Sequence, residues 1–372
     1  MTPLAELRRR LALDRRAIAR SLGDGRSPGL VVEVVSGLSD PHDGGRTVAI
    51  VRFASGLRVV YKPRAVGLET AFHGLVAWWN EQAGHLALFA PRVIDRGRYG
   101  WMEFVAYEGC PDSEAANRYW ERAGALIALA DLLDATDLHH GNVIAHGEYP
   151  VLVDLETLLQ PRRPSEERSL LSTGLVPAWI RGPDGGSYDV SGFGAIAAQR
   201  YKGAAVPLRE NVMRVGTDVG SVDEFVGQME AGLLRAGALL CQRREELLTQ
   251  LQRFRGLEVR VMRRHTETYR AAMADGSALA AMSEAERAAL GRGDIPRLVA
   301  STDASYEALI ARVKRLEPAY YEEQAGLLRT ALALWSLGGA LLMQQHQENG
   351  VEDGGPDEEK QHKPAHVRAI LL

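Results

Sequence analysis

One stretch limits what this chain can become. Residues 113–134 carry apolar side chains at helical spacing, closing on Leu126, Ile127, Leu129, Leu132 and Leu133, which predicts a strongly apolar helix. It runs straight into a polar turn, Asp134-Ala135-Thr136-Asp137-Leu138-His139-His140-Gly141-Asn142. Two short apolar strands follow, Val143–Ala145 and Val151–Val153, around a turn at Gly147–Pro150. Asp154 and Glu156 close the second strand. Side chains alternate along a strand, so these two carboxylates point to one face. Helix, polar turn and hairpin in this order predict an α+β fold.

The spacing of polar residues in that stretch is that of a phosphotransferase. Asp137 and Asn142 stand five residues apart, and Asp154 lies twelve further on. Kinase chemistry uses an Asp to accept the hydroxyl proton, an Asn five residues later to bind metal, and an Asp after the next hairpin to bind Mg²⁺. Phosphoryl transfer develops charge rather than covalent strain. Its site therefore needs hard oxygen ligands for a metal and a carboxylate beside the accepting hydroxyl. It also needs an upstream cation on the nucleotide phosphates. Lys62 stands at that place, at the end of a strand in Val60-Tyr61-Lys62-Pro63-Arg64. Glu69 on the next helix is its candidate partner. Two plainer readings stay open: carboxylates that cap turns, and a transition-metal site of His139, His140 and His146.

Composition sharpens the case for Lys62. Only five of the 44 basic residues are lysine, and Lys62 is the only lysine in the first 200 positions. An ammonium is a compact point charge, whereas a guanidinium is a larger planar fork. Two cysteines, Cys110 and Cys241, exclude a disulfide-stapled scaffold and any Cys-rich zinc or iron–sulfur site. They fit a reducing, cytoplasmic setting. A net charge of −4 argues against a nucleic-acid partner. No apolar run reaches the ~18 residues of a transmembrane segment.

The remaining chain falls into parts. Residues 1–29 read as an amphipathic surface helix followed by a turn. Residues 30–110 read as a strand-rich lobe with a polar, glycine-bearing loop at 36–46, a hairpin at 47–61 and a helix at 66–83. Residues 111–346 read as a mostly helical lobe, loop-rich over 161–205 and helical again at about 222–252 and 317–346. Residues 347–372 carry few apolar groups and are expected to be disordered.

Several runs together resemble the dehydratase domain of class II lanthipeptide (lantibiotic) synthetases, the LanM type. They are Ser39-Asp40-Pro41-His42-Asp43-Gly44-Gly45-Arg46, Phe53 through Arg64, Asp137-Leu138-His139-His140-Gly141-Asn142 and Asp154-Leu155-Glu156-Thr157. Tyr188-Asp189-Val190-Ser191-Gly192, Arg260 through Tyr269 and Gly293-Asp294-Ile295-Pro296 extend the likeness over about residues 36–300. The resemblance implies an elaborated lipid-kinase- or protein-kinase-like bilobal fold with a mostly helical C-lobe. It implies that ATP and Mg²⁺ serve to phosphorylate Ser and Thr of a precursor peptide. The phosphate is then eliminated, leaving dehydroalanine or dehydrobutyrine.

By position, the resemblance assigns Lys62 to the ATP phosphates, Asp137 and His139 to the catalytic loop, and Asn142 and Asp154 to Mg²⁺. It places Asp40 and His42 in the glycine-bearing loop over the phosphates and, with Arg260 and Thr266, ties them to elimination; the loop setting of Ser191 permits a phosphate contact. Members of this family are usually longer, with a helical region before the polar loop and a zinc-dependent cyclase domain at the end. About 35 residues precede the loop here, and both cysteines lie ahead of any such cyclase. No cyclisation is therefore expected within these residues, and a separate LanC-like cyclase is the implied partner. A stand-alone dehydratase, one piece of a split enzyme and a truncated product all fit. Two other functions stay open: a phosphotransferase that stops at the phosphopeptide or acts on a small molecule, and a non-catalytic peptide-binding fragment.

Overall fold

The computed structural model describes residues 2–161, 168–181, 187–194, 210–220, 222–261, 263–264, 266–348 and 367–369. The first part is a helix packed on a sheet. Helix α1 (Pro3–Ser21) is capped by Thr2, whose hydroxyl accepts the Ala5 N–H, with proline in its first turn. The strands are β1 (Val31–Ser36), β2 (Ala49–Phe53), β3 (Arg58–Lys62), β4 (Val93–Asp95) and β5 (Gly100–Glu103), and helix α2 (Gly67–Asn80) follows β3. Every pairing in the sheet is antiparallel, in the order β1-β2-β3-β5-β4. Leu7, Leu11, Ile18 and Leu22 of the α1 stripe are buried against Val51, Phe53, Val59 and Trp101. Each such side chain contributes about 1.5–3 kcal/mol. Asp14 anchors the helix from within, accepting Trp101 Nε1 at 2.9 Å, Tyr99 Oη at 2.7 Å and Arg96 Nε at 2.7 Å.

The second part is built on helix α3 (Ser113–Leu132), capped by Asp112 and buried along most of its length. The hairpin β6 (Val143–His146) and β7 (Tyr149–Leu152) follows it. After it come three two-stranded ladders: β8 (Trp179–Arg181) with β9 (Ser187–Asp189), β10 (Arg214–Val215) with β11 (Asp218–Val219), and β12 (Glu258–Val261) with β13 (Leu298–Ser301). The helices are α4 (Val226–Gln242), α5 (Arg244–Leu251), α6 (Thr266–Asp275), α7 (Glu284–Leu290), α8 (Asp303–Val313) and α9 (Pro318–Glu348).

Glycine inside a helix costs roughly 0.5–1 kcal/mol, yet α3 and α4 each carry one at their contact. A Cβ on Gly124 would overlap the Met229 carbonyl oxygen, and one on Gly232 would overlap that of Glu121. The two backbones approach too closely for a side chain.

The C-terminal end of α3 is fixed by a buried ionic group. Arg168 meets Asp131 at 2.6 Å and Asp134 at 3.3 Å, Arg312 meets Asp134 at 2.6 Å, and Tyr320 Oη donates to Asp131 at 2.9 Å. This group braces the helix just where it turns into the polar loop.

The fold is mixed α and β with small antiparallel sheets, as the sequence predicts. The 161–205 loops lie partly outside the described residues. So does nearly all of the tail at 347–372, where Val367–Ala369 forms β14 beside β1. Among the described residues no helix is long and apolar enough to cross a membrane.

Candidate functional site

Lys62 ends β3 opposite Gly100 and is buried. Its Nζ donates to Glu69 Oε1 at 3.0 Å and to the Val153 carbonyl at 2.5 Å, and lies 3.9 Å from Asp154 Oδ1. Glu69 comes from the first turn of α2, so the helix after the hairpin returns a carboxylate to the lysine. Burial pushes the Glu69 carboxyl up, but Arg64 and Lys62 together hold it far below the usual carboxylate range. Arg64 is a second cation in the same place. It reaches Glu69 at 2.6 Å, Asp154, and Glu156 at 3.2 Å.

The polar loop is rigid for reasons visible in its backbone. Asp137 has φ +59°, a left-handed conformation that Asp tolerates better than most residues. Asn142 Nδ2 donates to the Asp137 carbonyl at 2.8 Å, and the Asn142 N–H donates to His139 O at 2.8 Å. His139 Nδ1 accepts the Gly141 N–H at 3.0 Å. The Val153 N–H donates to Asn142 O at 3.0 Å, which seats Asn142 beside the end of the hairpin and thus near Asp154. His139 forms a backbone bridge with Ser191. Ser191 Oγ donates to Asp189 Oδ1 at 2.7 Å, and Trp335 Nε1 donates to Asp189 Oδ2 at 2.6 Å. The Ser191 hydroxyl thus serves the loop scaffold. Burial pushes the Asp137 carboxyl up, helped by Asp154 and Glu156 and opposed by His139 and Arg260. A raised carboxyl is the stronger base.

Hard oxygen donors suit Mg²⁺. Asp154 is 30% exposed at its side chain, and its contacts with Arg64, Lys62 and the Glu156 N–H all run through Oδ1. Asn142, seated beside the end of the hairpin, supplies a second hard oxygen donor. The histidine-ligated alternative is not formed. Among the described residues no three of His, Cys, Asp and Glu are placed to hold a metal, and His146 Nδ1 is engaged by Ala106 O at 2.9 Å.

Arg260 joins this group through Glu156, to which it donates at 2.7 Å. Arg297 reaches the other Glu156 oxygen at 3.3 Å. Burial raises the Glu156 carboxyl, but Arg64, Arg260 and Arg297 overrule it and hold it at about 2. His42 Nδ1 lies 2.6 Å from the Ile295 carbonyl. A carbonyl only accepts, so Nδ1 carries the proton and Nε2 is bare. Burial, aided by Arg260, pushes the imidazole below its ordinary value and keeps it neutral at pH 7.

Lys62, Asp137, His139, Asn142 and Asp154 thus share one region, with Arg260 and His42 at its edge. Asp40 is turned to Arg270, which donates to it at 2.8 Å. Thr266 begins α6 and is half-buried. Among the described residues no hydrogen bond ties Thr266 to the group. Arg64, Arg297 and the ion-pair role of Glu156 have no signal in sequence spacing. Only the position of Arg64 two residues past Lys62 hinted at it.

Over 127 residues the chain is 29% identical to the lacticin 481/lactococcin biosynthesis protein LcnDR2 of Lactococcus lactis subsp. lactis. The match covers 32% of this chain and 14% of that protein. It agrees with the resemblance to LanM-type synthetases. Residues 1–290 match the family described as Domain of unknown function (DUF4135), and the chain belongs to that family.

Proposed function

We propose that this chain dehydrates Ser and Thr of a lanthipeptide precursor by ATP- and Mg²⁺-dependent phosphorylation followed by phosphate elimination. The observation that carries this reading is the meeting of buried Lys62 and Glu69 with partly exposed Asp154 beside the loop of Asp137 and Asn142. Likeness to a lacticin 481/lactococcin biosynthesis protein supports a peptide substrate. The helix-backed sheet and the helical remainder are read as the two lobes of an elaborated lipid-kinase- or protein-kinase-like fold, in a cytoplasmic protein.

Lys62 holds the nucleotide phosphates, its Nζ positioned by Glu69. Asn142 and Asp154 hold Mg²⁺, which when bound neutralises charge on the phosphates. Asp137 orients the peptide hydroxyl and accepts its proton, while His139 shapes the loop from which Asp137 acts. Elimination then removes the α-proton. The C–H electron pair becomes the Cα=Cβ bond, and the Cβ–O pair leaves with phosphate. Neutral His42 has a bare Nε2 to take that proton, and Arg260 neutralises the leaving phosphate. Asp40 and Thr266 are assigned to this second half by the family resemblance alone. Ring closure is left to a separate LanC-like cyclase.

The test is to incubate the full chain with ATP, Mg²⁺ and a candidate precursor peptide and weigh the product. Loss of one water per modified residue is expected. A peptide that only gains phosphate marks a phosphotransferase without elimination. An unchanged peptide that a related synthetase does modify marks a binding fragment.

A further inference from the structure

The glycine-bearing loop does not offer its amides to a ligand. The Gly44 N–H donates to Asp294 Oδ2 at 2.7 Å, and the Gly45 N–H donates to Asp294 Oδ1 at 2.8 Å. Asp43, Gly44 and Gly45 have φ values of +48°, +92° and +77°. Backbone N–H groups gathered by such a turn form a nest for an anion. Here the anion belongs to the chain itself, 250 residues away from Gly44 in sequence.

Asp294 is buried. Burial raises its carboxyl, but the two amides and Arg292 hold it below the ordinary value. A phosphate would have to share the nest with this carboxylate, and like charges in one buried place repel. The adjoining residue fastens the loop twice more. The Ile295 N–H donates to Pro41 O at 2.8 Å, and His42 Nδ1 meets Ile295 O at 2.6 Å. Arg46 Nε also donates to Glu6 Oε2 of α1 at 2.8 Å. Within the loop, His42 and Arg46 exchange backbone hydrogen bonds at 3.0 and 2.8 Å.

We propose that Asp294 is a positioning residue whose carboxylate fills the Gly44–Gly45 nest and so fixes His42 on the Ile295 carbonyl, giving this loop to the elimination half rather than to the nucleotide phosphates. The role in elimination rests on the proposed function. The latch itself does not.

Asp294→Ala and Asp294→Asn in the full chain test it. Hydrogen–deuterium exchange needs no substrate. The Gly44 and Gly45 amides should exchange about tenfold faster in Asp294→Ala and by an intermediate factor in Asp294→Asn, which keeps one acceptor. His42 should titrate closer to an ordinary imidazole in Asp294→Ala, followed by NMR. Unchanged exchange, or an unmoved His42, overturns the proposal. On a peptide that the unaltered protein dehydrates, the ratio of phosphopeptide to dehydrated product should rise in Asp294→Ala and fall back in Asp294→Asn. Equal loss of both steps, or a lower KM for ATP from a nest freed for phosphate, also overturns it. If the unaltered protein modifies no peptide, the proposed function fails, and exchange and His42 titration decide the latch.

Discussion

Glu156 and Arg260 meet twice. The Arg260 N–H donates to the Glu156 carbonyl at 2.8 Å, and its guanidinium donates to Oε1 at 2.7 Å. Glu156 stands two residues beyond Asp154, so β12 is fastened to the acidic end of the hairpin. The proposed elimination arginine is therefore tied to the residue two places past the proposed metal ligand.

Removing that carboxylate should be expensive. Glu156→Ala leaves Arg64, Arg260 and Arg297 facing one another in a buried place, and breaking such a pairing costs about 3–5 kcal/mol. Glu156→Gln keeps the volume and an acceptor and should cost less. Urea unfolding followed by circular dichroism checks the order. Equal stability of all three proteins would contradict the bridging role.

Phosphorylation should depend on Lys62 and Asp154. Either alanine variant should lower phosphate transfer to peptide by about a hundredfold or more. Glu69 keeps Arg64 as a partner in Lys62→Ala, so the fold should persist. Incorporation of labelled phosphate measures the loss, and transfer surviving in both variants would refute the site assignment.

Arg260→Ala should let phosphopeptide accumulate, seen by mass. Arg260→Lys should recover little, because an ammonium cannot reproduce a two-pronged contact with phosphate. A variant that dehydrates at the normal rate would remove Arg260 from elimination.

Stability should fall in two stages on acidification. Burial pushes the His73 imidazole down from 6.5 to about 4, so the unfolded chain takes up this proton first. Its contribution is complete above pH 6.5 and is lost as pH falls toward about 4, worth about 3 kcal/mol. The Glu156 carboxyl, held at about 2 against an ordinary 4.5, acts lower. Its contribution is present above pH 4.5 and fades as pH drops toward about 2. His73→Gln should flatten only the upper stage in denaturant titrations across pH.

Gly124→Ala and Gly232→Ala should each push α3 and α4 apart. Overpacking of this kind costs about 1–3 kcal/mol, more than the helix propensity gained. A raised melting temperature in either variant would contradict the backbone contact.

Much of the scaffold was legible in the sequence because it is local. The α1 stripe, the β2–β3 and β6–β7 hairpins and the buried α3 all follow from periodicity and turn residues. The helices at 266–275, 284–290 and 303–313 were not read, since each is short and carries a weak apolar stripe. Within the site, Lys62, Asp137, Asn142 and Asp154 were legible from order and spacing. Arg64, Arg297 and Asp294 were not. Their partners lie far off in sequence, and a contact between distant charges leaves no period to detect. The loop setting of Ser191 permitted a phosphate contact; in the structure its hydroxyl donates to Asp189, a partner that sequence spacing does not single out.

The Gly44–Asp294 contact also has a meaning in time. A chain emerging from the ribosome makes residue 44 long before residue 294, and the Trp335 indole that anchors Asp189 comes later still. The sheet around Lys62 can form early from near neighbours. The glycine-bearing loop can reach Glu6 early through Arg46, but its hold on Asp294 and Ile295 waits until most of the chain has been made. A nascent chain thus makes the Lys62 strand first and the Asp294 latch on the glycine-bearing loop late.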